Sequence, residues 1–211
     1  FSYSVSHDLK APLRGIDGYG KLLAEEYSHL LDEQGKRFLA NILTGASQMY
    51  QLIEDMLAYS RIERRSPTMA MLDLGKAVDE VLMEARPYLA NVQVTVELVP
   101  GTIMGDKEAV AIALRNLIDN ATKFSGLRSS PILEIRSKLE NDRHILSVRD
   151  NGTGFDMKHH DSIFKIFQRL HRAEDFPGTG VGLALVKKAM ERMGGHVWAE
   201  SEVDQGATFF L

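Results

Sequence analysis

The sequence predicts two parts of different fold class: an all-α helical hairpin that pairs into a dimeric four-helix bundle, followed by an α+β sandwich domain. Through roughly the first 60 residues, apolar positions recur at steps of three and four, which is typical of amphipathic helices. The charged stretch at residues 61–65, followed by Ser66 and Pro67, then ends the helical pattern. Beyond it, alternating apolar patterns predict strands and two further helices. We therefore expect domains at residues 1–66 and 67–211.

The first part is predicted to contain two antiparallel helices. The apolar positions of the first helix are Val5, Leu9, Pro12, Ile16, Tyr19, Leu23 and Leu30. Those of the second are Phe38, Ile42, Gly45, Met49, Leu52, Met56 and Tyr59, widened by Leu39, Ala46, Ile53 and Leu57. The connection at residues 31–35 is short, so the helices are expected to be neighbours. A stripe this broad needs more than one partner helix, and pairing two hairpins into a four-helix bundle covers it, which predicts a homodimer.

The second part is predicted from alternating strands and amphipathic helices. The strands lie at residues 92–98, 132–139, 144–148 and 207–211, and the helices at residues 106–124 and 181–193. Residues 152–180 form a long irregular stretch with many Gly, Pro, His and charged residues. A loop that long inside a compact domain is usually functional or mobile, so we interpret it as a lid.

Composition excludes several kinds of site. The 25 basic and 29 acidic side chains give a net charge of −4, so no broad basic surface is available for nucleic acid or a membrane. The absence of cysteine excludes disulfides, thiolate zinc sites and thiol nucleophiles, and it suits a cytoplasmic protein. No apolar run approaches the roughly 20 residues that a membrane helix needs. Because the chain begins without Met inside a predicted helix and ends inside a predicted strand, we expect it to be part of a longer protein.

His7 is the candidate reactive residue of the first helix. It lies two residues from both Val5 and Leu9, so at about 100° per residue it is turned away from the apolar stripe and is expected to be exposed. Pro12 cannot donate to the carbonyl of Asp8, so the helix is expected to be kinked or soft near His7. A surface histidine without a role is the common alternative, and these neighbours favour a reactive one. Adjacent helix residues do not face each other, so Asp8 reaches His7 only through a particular rotamer.

A polar edge is predicted on the helix at residues 106–124. Asn116, Asn120 and Lys123 share this edge beside the apolar stripe. Asparagine disfavours helix interiors, so two of them within one helix indicate another role. Amide oxygens suit a hard cation such as Mg²⁺, and a lysine one turn further suits a phosphate.

Two glycine-rich segments are candidates for ligand-binding loops. In DNGTGFD, at residues 150–156, a strand presents Asp150, which can accept from an exocyclic amine such as that of adenine, and two glycines follow. The glycine placement and the missing distal Glu argue against a calcium loop here. In GTGVGL, at residues 178–183, closely spaced glycines open a helix and offer free amides to a phosphate. Its GxGxG spacing, with no strand directly before it, argues against a Rossmann motif.

These motifs resemble those of sensor histidine kinases. SHDLKAPLRGI, at residues 6–16, resembles their phosphoacceptor box and is close to the phytochrome-like branch. The asparagine helix, DNGTG, IFKIFQRL, GTGVGL and GATFF resemble, in order, the N, G1, F, G2 and G3 boxes of the ATP-binding domain of the histidine kinase/gyrase/Hsp90 type. The resemblance covers essentially the whole chain. It implies a homodimeric enzyme of two-component signal transduction that uses ATP and Mg²⁺, phosphorylates its own His7 and passes the phosphoryl group to an aspartate of a response regulator receiver domain, with a sensor domain upstream.

The same resemblance implies roles for individual residues. His7 attacks the γ-phosphorus through Nε2, and Asp8 acts as the general base on the other ring nitrogen. Asn120, with help from Asn116, ligates Mg²⁺, and Lys123 contacts phosphate. The remaining residues expected to bind ATP are Asp150 at the adenine amine, Gly152 and Gly154 beside it, Phe167 as lid anchor, Arg169 toward the phosphates, Gly178, Thr179, Gly180, Gly182 and Leu183 around the triphosphate, and Thr208 near adenine through water.

Two rival functions use the same nucleotide fold. ATP-driven machines such as gyrase and Hsp90 carry a glutamate one turn before the metal-binding asparagine, where it activates water. This chain has Asn116 there, so slow hydrolysis is expected. A pseudokinase scaffold is the second rival, and the complete set of nucleotide motifs argues against it.

Further residues refine these expectations. Ala11 occupies the position where relatives with phosphatase activity carry Thr or Asn, so weak phosphatase activity is predicted. Adjacent His159 and His160, without nearby Cys or spaced carboxylates, do not predict a metal site. The other histidines are interpreted as structural or solvated: His29, His144, His171 and His196. The candidate regulator surface consists of Arg14, Gly18, Lys21 and Glu25, with a solvated helix face as the alternative.

Overall fold

The computed structural model describes the backbone of residues 2–171 and 175–211 and, within these ranges, the side chains from residue 8 onward. The chain divides into two compact units, Phe1–Arg61 and Ile62–Leu211. The boundary predicted between residues 66 and 67 stays a prediction. Within the described ranges, no helix combines the length and the apolar character that crossing a membrane requires.

The first unit is a helical hairpin, as predicted. Helix α1 spans Ser2–Glu26 and continues through Pro12 without interruption, a 3-10 turn follows at Ser28–Leu30, and helix α2 spans Glu33–Arg64. Asp32 precedes α2 and accepts a hydrogen bond from the Gly35 N–H at 2.7 Å. A carboxylate in this position satisfies an amide that the first helical turn leaves without a partner.

The apolar stripe of α2 divides into a buried and an exposed face. Leu39, Ala46 and Leu57 are buried, and on α1 so are Leu13 and Gly20. The three α2 residues were predicted to widen the stripe, whereas Leu13 and Gly20 were not predicted, and all five lie in the core of the hairpin. Three central residues of the predicted stripe are instead exposed, namely Phe38 and Ile42 at 53% each and Met49 at 48%, and the others are partly buried. Large apolar side chains of α1 are exposed as well: Leu9, Ile16, Tyr19, Leu22 and Leu23. A single hairpin thus leaves an apolar face uncovered.

The second unit contains a five-stranded sheet in the order β2-β4-β5-β7-β6. Its strands are β2 at Gln93–Glu97, β4 at Ile132–Glu140, β5 at Arg143–Asp150, β6 at Trp198–Glu202 and β7 at Gly206–Phe210. The β2–β4 pair is parallel and the other pairs are antiparallel. A separate antiparallel pair is formed by β1 at Ala70–Asp73 and β3 at Thr102–Gly105.

Three helices supply the second layer of this unit. They are α3 at Leu74–Ala85, α4 at Lys107–Ser125 and α5 at Gly182–Arg192. The hydrophobic core contains Leu114, Leu117 and Val186 from the helices together with Leu133, Val148 and Phe209 from the strands. The predicted α+β sandwich is confirmed. The sequence patterns did not predict α3, β1, β3 or β6, which carry none of the motifs.

The first turn of α4 is fixed by a buried carboxylate. Asp106 is 4% exposed and accepts from the N–H groups of Glu108 and Ala109 at 3.0 and 3.1 Å. Its other oxygen accepts from the Thr68 N–H at 2.6 Å. Because buried carboxylates are costly unless they are hydrogen-bonded, this set of donors stabilises the start of the helix that carries the polar edge.

Candidate active site

Asp150 lies at the end of β5 on the side of the sheet that faces the helices. Side chains alternate along a strand, so Leu146, Val148 and Asp150 share one face, and all three are buried. The Gly152 N–H donates to Asp150 Oδ1 at 2.7 Å. Burial raises the pKa of Asp150 to about 6, although hydrogen bonds from the Gly152 and Ala207 amides favour the ionised form. Above this pKa the side chain is an ionised carboxylate, which is suited to accept a hydrogen bond from a ligand amine.

Asn116 faces the start of helix α5. Its Nδ2 donates to the Ile112 carbonyl one turn earlier at 2.8 Å. Its Oδ1 lies next to Gly182, where an added Cβ would come within 2.8 Å of that oxygen. The glycine therefore permits the close approach of Asn116 to the start of α5, and the amide oxygen of Asn116 faces the loop predicted to bind phosphate.

Lys123 and Asn120 form the rest of the polar edge. The Lys123 ammonium donates to Asn120 Oδ1 at 3.2 Å and lies 4.3 Å from the ring centroid of Phe124. It also lies beside Gly178, where an added Cβ would be 3.3 Å from Nζ. Burial lowers the pKa of Lys123, the nearby Arg169 guanidinium lowers it further, and Asp119 opposes both. The structure thus brings this edge of α4 to the glycine loop.

Arg169 binds the glycine loop itself. Its guanidinium donates to the Gly178 carbonyl at 2.6 Å and to the Phe176 carbonyl at 2.8 Å. The expected approach of Arg169 to the phosphates stays a prediction, because the structure shows its side chain on these two carbonyls. Its contact with Gly178 nevertheless places the guanidinium beside the predicted phosphate loop.

Phe167 is joined to the same loop through its backbone. Its N–H donates to the Gly180 carbonyl at 2.9 Å, its φ is +64°, and its side chain is 53% exposed. Within the IFKIFQRL motif, at residues 163–170, the aromatic side chain that is buried is Phe164. It belongs to the hydrophobic core together with Ile163. Phe164 and Ile163 therefore fix the segment in the core, whereas the Phe167 amide fixes Gly180.

An aromatic cluster borders this region. The rings of Phe124, His171 and Phe176 pack against one another, with centroids 5.1 to 5.3 Å apart. His171 and Phe176 belong to the irregular stretch interpreted as a lid, and Phe124 follows Lys123 on α4. Nothing in the sequence pattern identified this cluster, because it forms only when the stretch folds back on α4. The rings are tilted by 47° to 58° to one another, which is a usual geometry of aromatic packing, and they join the irregular stretch to α4.

Thr208 lies on the opposite face of the sheet from Asp150. In the β5–β7 register Ala207 pairs with Asp150, and Thr208 pairs with Arg149. Ala207 is buried, as is Asp150, so the alternation along β7 turns Thr208 away from the helices. The structure therefore does not bring Thr208 to the other site residues, and the residue beside Asp150 is Ala207.

The other members of the predicted site lie in these loops or, for Leu183, in the first turn of α5. Gly152 and Gly154 follow Asp150, Thr179 lies between two glycines of the phosphate loop, and Leu183 packs partly buried against the core. Arg128 had no predicted role. Its guanidinium donates to the carbonyls of the loop after β5, and its long separation in sequence from those partners left no local signal.

The phosphoacceptor segment lies on α1. The backbone of His7 is helical, and its predicted exposure and its predicted contact with Asp8 lie outside the described side chains. One turn further, Lys10 forms an ion pair with Glu54 of α2, and its ammonium lies 5.6 Å from the ring centroid of Tyr50. Opposite charges therefore connect the two helices next to the phosphoacceptor segment.

The residues on the polar edge fit a magnesium ion that accompanies a nucleotide. No group of three or more His, Cys, Asp or Glu side chains able to hold a metal occurs in the part of the chain that the structure describes. Mg²⁺ in nucleotide sites retains several waters and takes most of its other ligands from phosphates, so it needs few protein oxygens. The amide oxygens of Asn116 and Asn120 are of the type that could supply such ligands, and that of Asn120 accepts from Lys123 in this structure.

Two family profiles match the chain. Residues 1–65 match the His Kinase A phospho-acceptor domain. Residues 105–211 match the histidine kinase-, DNA gyrase B- and HSP90-like ATPase family. The chain belongs to this family. Because the phospho-acceptor domain precedes the ATPase domain, it is the transmitter core of a histidine kinase.

Relatives of this chain include two proteins named as phytochromes. Cyanobacterial phytochrome A of Nostoc sp. strain PCC 7120 is 37% identical over 213 residues, which cover 100% of this chain and 28% of that protein. Phytochrome-like protein Cph1 of Synechocystis sp. strain PCC 6803 is 36% identical over 213 residues, with the same coverage of 100% and 28%. The chain thus spans little more than a quarter of the length of these relatives.

A solved structure supports the fold. The crystal structure of full-length ShkA in complex with AMPPNP has a TM-score of 0.72 and 24% sequence identity, and the match covers 99% of this chain and 44% of that one. At this identity the likeness concerns the fold, and it extends over both units.

Proposed function

We propose that this chain is the catalytic core of an ATP-dependent protein histidine kinase that phosphorylates its own His7 and transfers the phosphoryl group to an aspartate of a response regulator receiver domain. The observation that carries the proposal is the meeting of the Asn116, Asn120 and Lys123 edge with the glycine loop. This arrangement, which we propose binds phosphate, follows in the chain the residues that match a phospho-acceptor domain. A nucleotide site and an acceptor histidine in one chain are the two components that the reaction needs.

The proposed reaction is an in-line phosphoryl transfer. The Nε2 of neutral His7 forms a bond to the γ-phosphorus while the bond to the β–γ bridging oxygen breaks, and ADP leaves. Asp8 accepts or orients the proton on Nδ1 and stabilises the imidazolium that develops. This chemistry requires mainly that the reactants are positioned and that negative charge is neutralised.

Residues of the second unit would supply that positioning. Asp150 would accept from the adenine amine, and Lys123 would neutralise phosphate charge. Asn116 and Asn120 would hold Mg²⁺, which when bound neutralises the β- and γ-phosphate oxygens. The amides at the start of α5 would donate to the phosphates. Thr208 lies on the face of the sheet opposite Asp150, so we propose no contact between Thr208 and the adenine base.

The identity of residue 116 argues against an ATP-driven machine. An ATPase of this fold needs a carboxylate that takes a proton from water, and the amide of Asn116 cannot do so. Its Nδ2 already donates to the Ile112 carbonyl. Transfer to an imidazole, which needs no activated water, is therefore favoured.

Dimerisation is part of the proposal. The exposed Phe38, Ile42 and Met49 face on α2 would be covered by a second hairpin, which gives the four-helix bundle. An upstream sensor domain is proposed because the relatives extend well beyond the matched region. The regulator would bind α1 near Arg14, Gly18, Lys21 and Glu25.

Labelling with ATP tests the proposed function. Incubation with γ-labelled ATP and Mg²⁺ is expected to give acid-labile, alkali-stable label on the wild type, as a phosphorylated imidazole would. His7→Gln removes the acceptor and is expected to abolish the label. Asn120→Ala weakens the metal and phosphate contacts, and label is expected to form about 100-fold more slowly.

Two matched variants control for general damage. His29→Gln changes an exposed histidine in the turn between the helices, and Asn91→Ala changes an exposed asparagine before β2. Both are expected to label as the wild type does. Label that persists in His7→Gln would show that another residue is the acceptor, and release of free phosphate as the main product would favour an ATPase.

A further inference from the structure

One arginine connects two loops beside Asp150. Arg128 lies between α4 and β4, and its Nε donates to the Asn151 carbonyl at 2.9 Å. Its Nη2 donates to the Gly152 carbonyl at 2.9 Å and to the Asp204 carbonyl at 2.6 Å. A single guanidinium thus holds three backbone carbonyls, two in the loop after β5 and one in the turn between β6 and β7.

The loop after β5 is held by a second side chain as well. Asn151 Oδ1 accepts from the Ile132 N–H at 2.9 Å, and its Nδ2 donates to the Ser130 carbonyl at 2.9 Å. Carbonyls in such turns lie outside the sheet ladder and need donors from elsewhere. The planar, multiple-donor guanidinium of Arg128 meets this need in a way that a lysine could not.

The Asn151 contact continues directly to Asp150. The Asn151 carbonyl and the Gly152 N–H belong to the same planar peptide group. Arg128 donates to the oxygen of this group, and the N–H of the group donates to Asp150 Oδ1 at 2.7 Å. Fixing the oxygen therefore fixes the direction of the N–H, and each hydrogen bond polarises the other.

The surroundings allow this peptide little movement. A Cβ at Gly152 would lie 2.6 Å from the carbonyl carbon and oxygen of Phe124. The positive charge of Arg128 also favours the ionised form of Asp150 and lowers its pKa, against the larger effect of burial. Arg128 thus acts on both the orientation and the charge of this carboxylate.

We propose that Arg128 is a positioning residue for base recognition: it orients the Asn151–Gly152 peptide so that Asp150 is held in the direction that accepts the amine of adenine. This inference rests on the ATP site of the proposed function. All the donors of Arg128 that the structure describes are directed at backbone carbonyls, so its loss is expected to act on the base through Asp150. Nucleotide affinity and the preference for adenine over guanine then fall together.

Calorimetric titration with AMPPNP and with GMPPNP, each with Mg²⁺, tests this role in the full chain. In Arg128→Gln the dissociation constant for AMPPNP is expected to rise about tenfold, since hydrogen bonds that orient a charged acceptor are lost. Binding of GMPPNP, which has a carbonyl where adenine has its amine, is expected to change less than about twofold. Arg128→Lys keeps the charge and part of the donor set and is expected to be intermediate.

Arg136→Gln is the matched control. Arg136 is an exposed arginine of β4 that pairs with Glu97 and Glu134, away from these loops, and its loss is expected to leave both affinities unchanged. An unchanged AMPPNP affinity in Arg128→Gln would overturn the inference, and so would an equal loss for both nucleotides, which is the result of a merely structural role. Binding does not require His7. A wild type that binds AMPPNP but takes up no label would therefore overturn the kinase function and leave this inference standing.

Discussion

Asp150 combines burial with a position where a ligand amine is expected. The alternation of β5 places it on the same face as Leu146 and Val148, which makes it the polar end of an apolar row. Burial holds its pKa near 6, close enough to neutral pH for its charge state to matter for binding. The residue therefore links nucleotide recognition to pH.

The affinity for ATP is expected to depend on pH through Asp150. A carboxylate is a stronger acceptor than a carboxylic acid, so the AMPPNP affinity should rise about fivefold as the pH increases through about 6 and then level off. Calorimetry between acid and neutral pH measures this change. Asp150→Asn is the control, since its amide does not titrate while the phosphates of the nucleotide titrate in both proteins. If the ratio of the AMPPNP affinities of the wild type and Asp150→Asn stays the same at every pH, the prediction is contradicted.

The same shift has a defined sign for stability. The pKa of Asp150 is higher in the folded chain than in the unfolded chain, so the folded chain binds the proton more tightly. Its contribution to the free energy of unfolding therefore falls as the pH rises from the ordinary carboxyl range to about 6, and it is constant above that. Binding of the base thus favours the ionised form of Asp150, whereas its contribution to the free energy of unfolding is larger at low pH, where it is protonated.

Thr208 shows how a residue assignment depends on register. A strand repeats every two residues, so a displacement by one position moves a side chain to the other face of the sheet. The GATFF motif identifies the strand from sequence, but only the pairing of Ala207 with Asp150 shows which side chain lies next to the site. The resemblance of the motif predicted the strand correctly. It could not predict which of its side chains share the face of the sheet that carries Asp150.

At the scale of elements, helices α4 and α5 were predicted to within about one residue. Their strong apolar periodicity is a local signal that the sequence displays. Arg128 and the cluster of Phe124, His171 and Phe176 could not be predicted in this way. Their contacts join segments that are distant in sequence, so they depend on tertiary structure rather than on local pattern.

The approach of α5 to α4 gives a prediction for Gly182→Ala. The new methyl group would lie 2.8 Å from Asn116 Oδ1, so that amide or the start of α5 must move. The affinity for AMPPNP with Mg²⁺ is expected to fall about fivefold, measured by calorimetry, because the phosphate loop is displaced. Gly18→Ala is the control, since apart from its chain neighbours and the backbone of its own helix nothing lies within 4 Å of its added Cβ. Wild-type affinity in Gly182→Ala would show that the loop accommodates the methyl group.

At the scale of the whole molecule, the two units differ in how completely they bury their apolar residues. The second unit has a continuous core that includes Leu114, Leu117, Val148 and Val186. The hairpin buries Leu39, Ala46 and Leu57, but it also exposes an apolar face that includes Phe38 and Ile42. An exposed apolar face of this kind indicates an interaction surface.

The exposed face predicts that Ile42→Glu prevents dimerisation. A carboxylate placed in the centre of the bundle would lose its hydration without gaining a partner, which costs several kcal/mol. Light scattering is expected to show dimers for the wild type and monomers for Ile42→Glu at micromolar concentration. Gln48→Glu adds the same charge at an exposed position outside the stripe and is expected to remain dimeric. A dimeric Ile42→Glu protein would place the interface elsewhere.

The uncovered face of the hairpin also changes what its stability means. If a second copy supplies half of its core, the free energy that keeps the hairpin folded includes the free energy of association, which depends on the amount of protein present. The hairpin then has no single melting temperature, because dilution alone lowers it, whereas the unit at Ile62–Leu211 contains its own core and keeps one. The concentration of this chain would thus set how firmly its helical hairpin is folded, while the second unit would stay folded regardless of concentration.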